Sequence, residues 1–240
     1  MRLAVIADVH GNLIALENVL ADIARRGSDL IVNLGDCVTS PLWPRETCEL
    51  LEDRAMPTVR GNHDRWLAEL PRQDMRATVA FTHGALMPHQ RALLGRLPSS
   101  LELDGDVLAV HGTPASDSEY LLEDLVDGRL ALATVSTLER RLAGVSASLI
   151  LCGHSHHQHA THAPGGKLIV NPGSVGCPRY ADNPATSNAE AGSPHARYAI
   201  ATRRATRWSV DLIVLDYDWS QVTERAIANG REDWAAAFAS

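Results

Sequence analysis

Five short apolar runs in this chain stop at a cluster of aspartate, asparagine or histidine. LAVIA leads into Asp8-Val9-His10, LIVNL into Gly35-Asp36 and PTVR into Gly61-Asn62-His63-Asp64. Farther on, VLAV leads into His111-Gly112, and LILC into Gly153-His154-Ser155-His156. Apolar runs of this length, bounded by turn signals, read as buried strands. In α/β sheets, ligand sites gather beyond the carboxyl ends of the strands. Each cluster alone is a common turn or a stray histidine. Repeated at five strand ends, they demand a fold that brings those ends together. Glycine sits beside four of the five, where backbone must turn tightly or approach an ion closely.

The segments between these runs complete an α/β pattern. LIALENVLADIARRG has apolar residues at 13, 16, 19, 20 and 23, which is helical spacing, and Gly27 is a natural stop. RETCELLED, residues 75–97 up to Pro98, and residues 129–143 also read as helical. PTV at 57–59 is a short strand candidate, and LELDGDVLAV at 101–110 is a hairpin turning at Asp104-Gly105-Asp106. HQHATHA and KLIVN flank the turn Pro164-Gly165-Gly166, and ARYAIAT and SVDLIVLDY are closing strands. Strands alternate with helices early and hairpins dominate late, which predicts a mixed sheet or two packed sheets. ADNPATSNAEAGSPHA (181–196) reads as a surface loop, and TERAIANGREDWAAAFAS as a helix interrupted near Gly230. At 240 residues the expectation is a single domain spanning 1–240.

Net charge of -7 argues against a nucleic-acid partner, which needs a basic face. The four cysteines, Cys37, Cys48, Cys152 and Cys177, form no C-x-x-C pair, so a reducing cytoplasm is the expected compartment. No run approaches the roughly 18 apolar residues of a membrane span, and no membrane partner is expected. Oligomeric state is not written in the sequence.

The ordered set D-x-H, G-D, G-N-H-D, H-G and G-H-S-H, followed by NPGSVG at 171–176, resembles the calcineurin-like metallophosphoesterase superfamily. NPGSVG is similar to the variant of its compact bacterial and archaeal phosphodiesterase branch. The resemblance implies a four-layer αββα sandwich, with two mixed sheets face to face and helices outside. It also implies two divalent metal ions per chain. Asp8, His10 and His156 would join Asp36 at one, and Asn62, His111 and His154 would join Asp36 at the other. A carboxylate can neutralise two cations at once, so Asp36 is the natural bridge. Oxygen and imidazole donors suit manganese foremost, with iron, zinc or nickel as alternatives. Two ions about 3.5–4 Å apart can clamp attacking and leaving oxygens and deliver a shared hydroxide near neutral pH. The implied activity is hydrolysis of a small phosphate ester, either a phosphodiester or a nucleotide. A serine/threonine phosphoprotein phosphatase and a dinucleoside-polyphosphate hydrolase are the alternatives. A non-catalytic scaffold of the same fold would carry a degraded G-N-H-D motif, and here the motif is intact.

His63 and Asp64 are expected to be catalytic rather than ligating. A protonated His63 could stabilise phosphoryl charge or protonate the departing alkoxide. Asp64 could accept from its other ring nitrogen and hold the ring in place. Arg179 and Arg197 are weaker candidates for contacting a substrate phosphate, since guanidinium matches phosphate geometry. In HSHHQHATH, strand alternation puts His157 and His159 on one face and His162 on the other, and a solvated or structural role is expected for all three rather than a third metal site. Cys37 and Cys152 read as packed small hydrophobes.

Overall fold

Strand β1 (Arg2–Ile6) is buried over its last four residues on both faces, as a central strand must be. Helix α1 (Leu13–Arg26) follows, its start capped by Asn12, whose side chain accepts from Ala15 N, and its end marked by Gly27 at φ +77°. Strand β2 (Leu30–Asn33) then returns parallel to β1. Four helices come next: α2 (Pro44–Arg54), α3 (Asn62–Glu69), α4 (Ala77–Ala85) and α5 (Pro88–Gly95). The hairpin of β3 (Ser100–Leu103) and β4 (Val107–Val110) is followed by a second hairpin, β5 (Glu123–Val126) and β6 (Arg129–Leu132), then α6 (Val135–Arg141). β7 (Leu149–Leu151), β8 (His159–Ala163), β9 (Lys167–Asn171), β10 (Ala196–Arg204), β11 (Arg207–Leu215), α7 (Ser220–Ala228) and α8 (Glu232–Ala236) complete the order. This computed structural model describes residues 1–178 and 193–238. Most of the expected loop 181–196 therefore lies outside the described residues.

Nine strands form a four-stranded sheet ordered β11-β10-β1-β2 and a five-stranded sheet ordered β3-β4-β7-β9-β8, and β5-β6 pair separately. Both larger sheets are mixed. β1 pairs parallel with β2 and antiparallel with β10, while β4, β7 and β9 run parallel between antiparallel edges. Alternation along the strands sorts side chains into layers. Leu3, Val5 and Ala7 join Val32 and Leu34 against Val107, Ala109, Leu149, Leu151 and Val170, which is the seam between the sheets. The opposite face of the first sheet, with Ala4, Ile6, Tyr198 and Ile200, packs on Leu16, Val19 and Ile23 of α1 and Val222 and Ala226 of α7. Ile150 and Ile169 on the outer face of the second sheet pack on Leu138 of α6. The result is the four-layer sandwich that the resemblance implies. No helix among the described residues is long and apolar enough to cross a membrane.

Three local expectations are corrected. PTV makes only a single bridge, Asn33 with Thr58, because the chain turns into Arg60-Gly61 at once. Residues 75–97 divide into two helices, since Met87 precedes Pro88 and is held extended at ψ 153°. Residues 129–143 are not one helix. Asp127 at φ +50° and Gly128 at φ +74° form a two-residue hairpin turn, so Arg129–Leu132 is strand β6 and the helix starts only at Val135. The C-terminal tail is interrupted at Gly230 as expected, and Trp234 and Phe238 pack into the α1 core.

Candidate metal centre

The carboxyl ends of β1, β2, β4 and β7 meet at the edge of the seam, and the five polar clusters meet with them. Among the described residues three groups of donors result, each with its atoms within 4.8 Å of one another: His10, His156 and Cys177, and two that overlap at one residue, Asp8, His10 and Asp36, and Asp36, His111 and His154. Asp36 belongs to both. Its Oδ2 faces His111 Nε2 at 3.5 Å, His10 Nε2 at 3.7 Å and His63 Nε2 at 3.9 Å, while Oδ1 accepts from the His63 amide at 2.9 Å. Asn62 Oδ1 lies 3.0 Å from His111 Nε2, and His156 Nε2 lies 3.4 Å from Asp8 Oδ1. The structure thus brings together all seven side chains singled out as ligands.

The backbone is bent to achieve this. Asp8, His10, Asp36, His154 and His156 all have positive φ, between +46° and +69°. A non-glycine residue there costs about 1–3 kcal/mol, and such positions cluster at functional sites. Gly61 contributes by absence, because a Cβ on it would overlap the Asp36 carboxylate.

Each ring is oriented from behind. His10 Nδ1 donates to Thr39 O at 3.0 Å, His111 Nδ1 to Leu34 O at 2.7 Å, and His156 Nδ1 to Cys177 O at 2.9 Å. Backbone carbonyls accept only, so these bonds fix the proton on Nδ1 and turn the Nε2 lone pair inward. Two conflicts follow. His10 Nε2 and His156 Nε2 face each other at 3.2 Å, and His111 Nε2 faces the amide oxygen of Asn62 at 3.0 Å. Acceptors so placed repel unless a proton or a cation lies between them; in the ion-free chain the raised pKa values of His156 and His111 supply the proton, and a cation can take the same position. Asp8 Oδ1 is also buried with no hydrogen-bond donor. The donor set therefore fits divalent cations.

Electrostatics agree. Burial opposes the Asp36 carboxylate, yet His111, His63 and His10 outweigh it and hold its pKa well below the usual range. Burial also opposes the charge on His111, but Asp36 prevails and raises it to about 9. His156 is raised well above its ordinary value against burial, through Asp8. Two fully buried carboxylates hold positive charge around themselves, which is what a cation site requires.

Asp64 departs from its expected role. Its Oδ2 accepts from the amides of Gly61 and Asp36, both at 2.9 Å, and its Oδ1 accepts from Cys37 N at 3.0 Å. These bonds tie the start of α3 to the turn that carries Asp36. The carboxylate serves backbone rather than the His63 ring, so Asp64 is a positioning residue. Asp64→Ala should strand three buried amides and cost roughly 3–5 kcal/mol of stability, with metal affinity falling in parallel. Denaturant titration with and without metal checks this, and unchanged values for both would contradict it. His63 itself sits at the wall of the site, edge-on to His10 with centroids 5.2 Å apart and tilted on Trp66 at 4.5 Å.

Sequence reading missed several supports. Asn171 donates to Gly153 O at 2.8 Å and Ser155 Oγ at 3.0 Å, and Ser155 Oγ donates to Glu123 at 3.0 Å, which pins the turn carrying His154 and His156. Asn171 carries the same signal as the five clusters, a polar residue ending an apolar strand. Tyr120 stacks on His154 at 4.6 Å. Arg197 is buried and donates to the carbonyls of Ser193 and His195, and it borders a cavity of about 400 Å³ beside His156, together with Glu123, His157 and His159. Arg179 lies outside the described residues. Cys37 and Cys152 are buried in apolar clusters.

Residues 1–190 match a family model described as the calcineurin-like phosphoesterase superfamily domain. The chain is 28% identical to the uncharacterized protein MJ0912 of Methanocaldococcus jannaschii, over 97% of this chain and 94% of that protein. A metallophosphoesterase from Sphaerobacter thermophilus superimposes with a TM-score of 0.75 and 27% identity, covering 100% of this chain and 98% of that one. Vps29 from Entamoeba histolytica, in a complex with zinc, shares the fold at a TM-score of 0.50 and 15% identity, over 91% of this chain and 100% of that one.

Proposed function

The chain belongs to the calcineurin-like phosphoesterase superfamily, and from that premise we propose that it is a dinuclear metal-dependent hydrolase of small phosphodiesters or nucleotides. The observation that carries this reading is the set of inward-facing acceptors around Asp36: His10 against His156 at 3.2 Å, and His111 against Asn62 at 3.0 Å. Asp8, His10 and His156 with Asp36 would hold one ion, and Asn62, His111 and His154 with Asp36 the other. Manganese, iron, zinc and nickel all accept such donors. Bound there, a pair of divalent ions supplies Lewis acidity and lowers the pKa of water.

The chain's own residues supply the rest. Thr39, Leu34 and Cys177 hold three imidazoles in one tautomer through their carbonyls. Asp64 fixes the Asp36 turn against α3. His63, at the wall of the site, would meet the departing oxygen of a substrate. Burial pushes its pKa down to about 3, with neighbouring imidazoles adding to the effect and Asp36 opposing it. The ring is therefore neutral in the free protein even with the Asp36 carboxylate 3.9 Å away, so acting as a general acid would require the further negative charge of a bound phosphate ester.

A screen with manganese tests the activity. It compares an aryl phosphodiester, an aryl phosphomonoester, cyclic nucleotides, dinucleoside polyphosphates and a phosphopeptide. Turnover of the diester or a nucleotide is the expected result. Preference for the phosphopeptide or the dinucleoside polyphosphate would move the function to a protein phosphatase or a polyphosphate hydrolase, and no turnover of any would remove the enzymatic reading. Elemental analysis should find two divalent ions per chain. His10→Ala should weaken one site and His111→Ala the other, as metal titration after stripping will show. Saturation at one ion with full activity would rule out the dinuclear site.

A further inference from the structure

Cys177 stands where the metal motifs end, one residue beyond NPGSVG, and it is buried with its backbone tied on both sides to the candidate ligands. Its amide donates to Ser174 Oγ at 2.8 Å, and that hydroxyl donates to the carbonyl of Asp8 at 2.8 Å. Its carbonyl accepts from His156 Nδ1 at 2.9 Å. The position of the residue is therefore fixed relative to Asp8 and His156. Its side chain is placed accordingly: Cys177 Sγ, a ring nitrogen of His10 and a ring nitrogen of His156 lie within 4.8 Å of one another. Beside them, the fully buried Asp8 Oδ1 has no hydrogen-bond donor and lies 3.4 Å from His156 Nε2.

We propose that Cys177 is a thiolate ligand, added to Asp8, His10 and His156, of the ion at this end of the centre. The proposal rests on the metal-dependent reading above. On coordination the thiol proton passes to solvent and a metal–sulfur bond forms, with no change of oxidation state. A soft donor on one side only makes the two halves of the centre unlike. The Asp8–His10–His156–Cys177 half prefers a thiophilic ion such as zinc or ferrous iron. The Asn62–His111–His154 half, with oxygen and imidazole alone, accepts manganese as readily. All four cysteines are buried in apolar clusters, and among the described residues Cys177 alone of them appears in a group of candidate metal donors.

Cobalt(II) reports the bond directly. The full chain is stripped with chelator and reconstituted with cobalt(II), and its spectrum is recorded with the metal content. Wild type should show thiolate-to-cobalt charge-transfer absorption in the near ultraviolet beside the visible ligand-field bands. Cys177→Ser should lose the charge-transfer band entirely and keep visible bands from the oxygen and imidazole half. In competition between zinc and manganese, the same variant should lose about tenfold of its zinc preference. Wild type holding two cobalt ions without the near-ultraviolet band would overturn the proposal and leave the phosphoesterase reading standing. A band that survives in Cys177→Ser would assign it to another thiol, with the same consequence. Wild type that binds no cobalt at all would remove both.

Discussion

Asp36→Asn is expected to disrupt the proposed paired metal site and abolish turnover while the sandwich stays folded. The asparagine keeps the shape and can still accept from the His63 amide. What it removes is the charge that faces His10, His63 and His111 at 3.5–3.9 Å. Two divalent ions a few ångströms apart repel each other by on the order of 10 kcal/mol at the dielectric effective near a protein surface. Only a shared anion offsets that for both at once. We expect the variant to hold at most one ion and kcat/KM to fall by more than about 10³-fold. Far-ultraviolet circular dichroism should be unchanged, because the strands on either side are held by the apolar seam. Wild-type turnover in this variant would remove Asp36 as the bridge.

His63→Ala is expected to leave the proposed pair of ions in place and slow hydrolysis by about 10²–10⁴-fold, the scale of a lost general acid. The loss should grow with the pKa of the leaving group. An alkoxide needs a proton as it departs, whereas a nitrophenolate leaves as the anion. The measurement is kcat/KM on two diesters that differ only in the leaving group, with metal content followed in parallel. Equal slowing on both would assign the ring to phosphoryl charge stabilisation instead. Loss of an ion would make His63 a ligand, and unchanged rates would exclude it from the chemistry.

The candidate centre was largely legible because its ligands are short-range features of the chain. Each lies within a few residues of an apolar run whose end can be read directly. The sheets were legible for the same reason: LAVIA, LIVNL, LILC and KLIVN are continuous buried strands. What escaped was set by distant partners. Sequence proximity pairs the Asp64 carboxylate with its neighbour His63, but the amides of Cys37 and Asp36, far away in sequence, hold it instead. Residues 129–132 of the β5–β6 hairpin read as the start of a helix, although Asp127-Gly128 is a hairpin signal. Exposed Leu125, Val126 and Leu132 blur the alternation that marks a strand. Cys177 looks like any packed cysteine until β1 and the turn after β7 are folded against it.

The candidate ligands are shared between two sheets: Asp8, His10 and Asp36 follow strands of one, and His111, His154 and His156 follow strands of the other. An ion bound among them works as a rivet through the laminate. Its binding energy adds to folding energy, growing with the logarithm of ion concentration. Chelation would then do more than silence a reaction. It would leave that corner of the two sheets to the hydrogen bonds of His111 with Leu34 and of the His154 amide with Asp8, without the cations that neutralise its buried carboxylates. The molecule's durability and its chemistry would rise and fall with the same pair of ions.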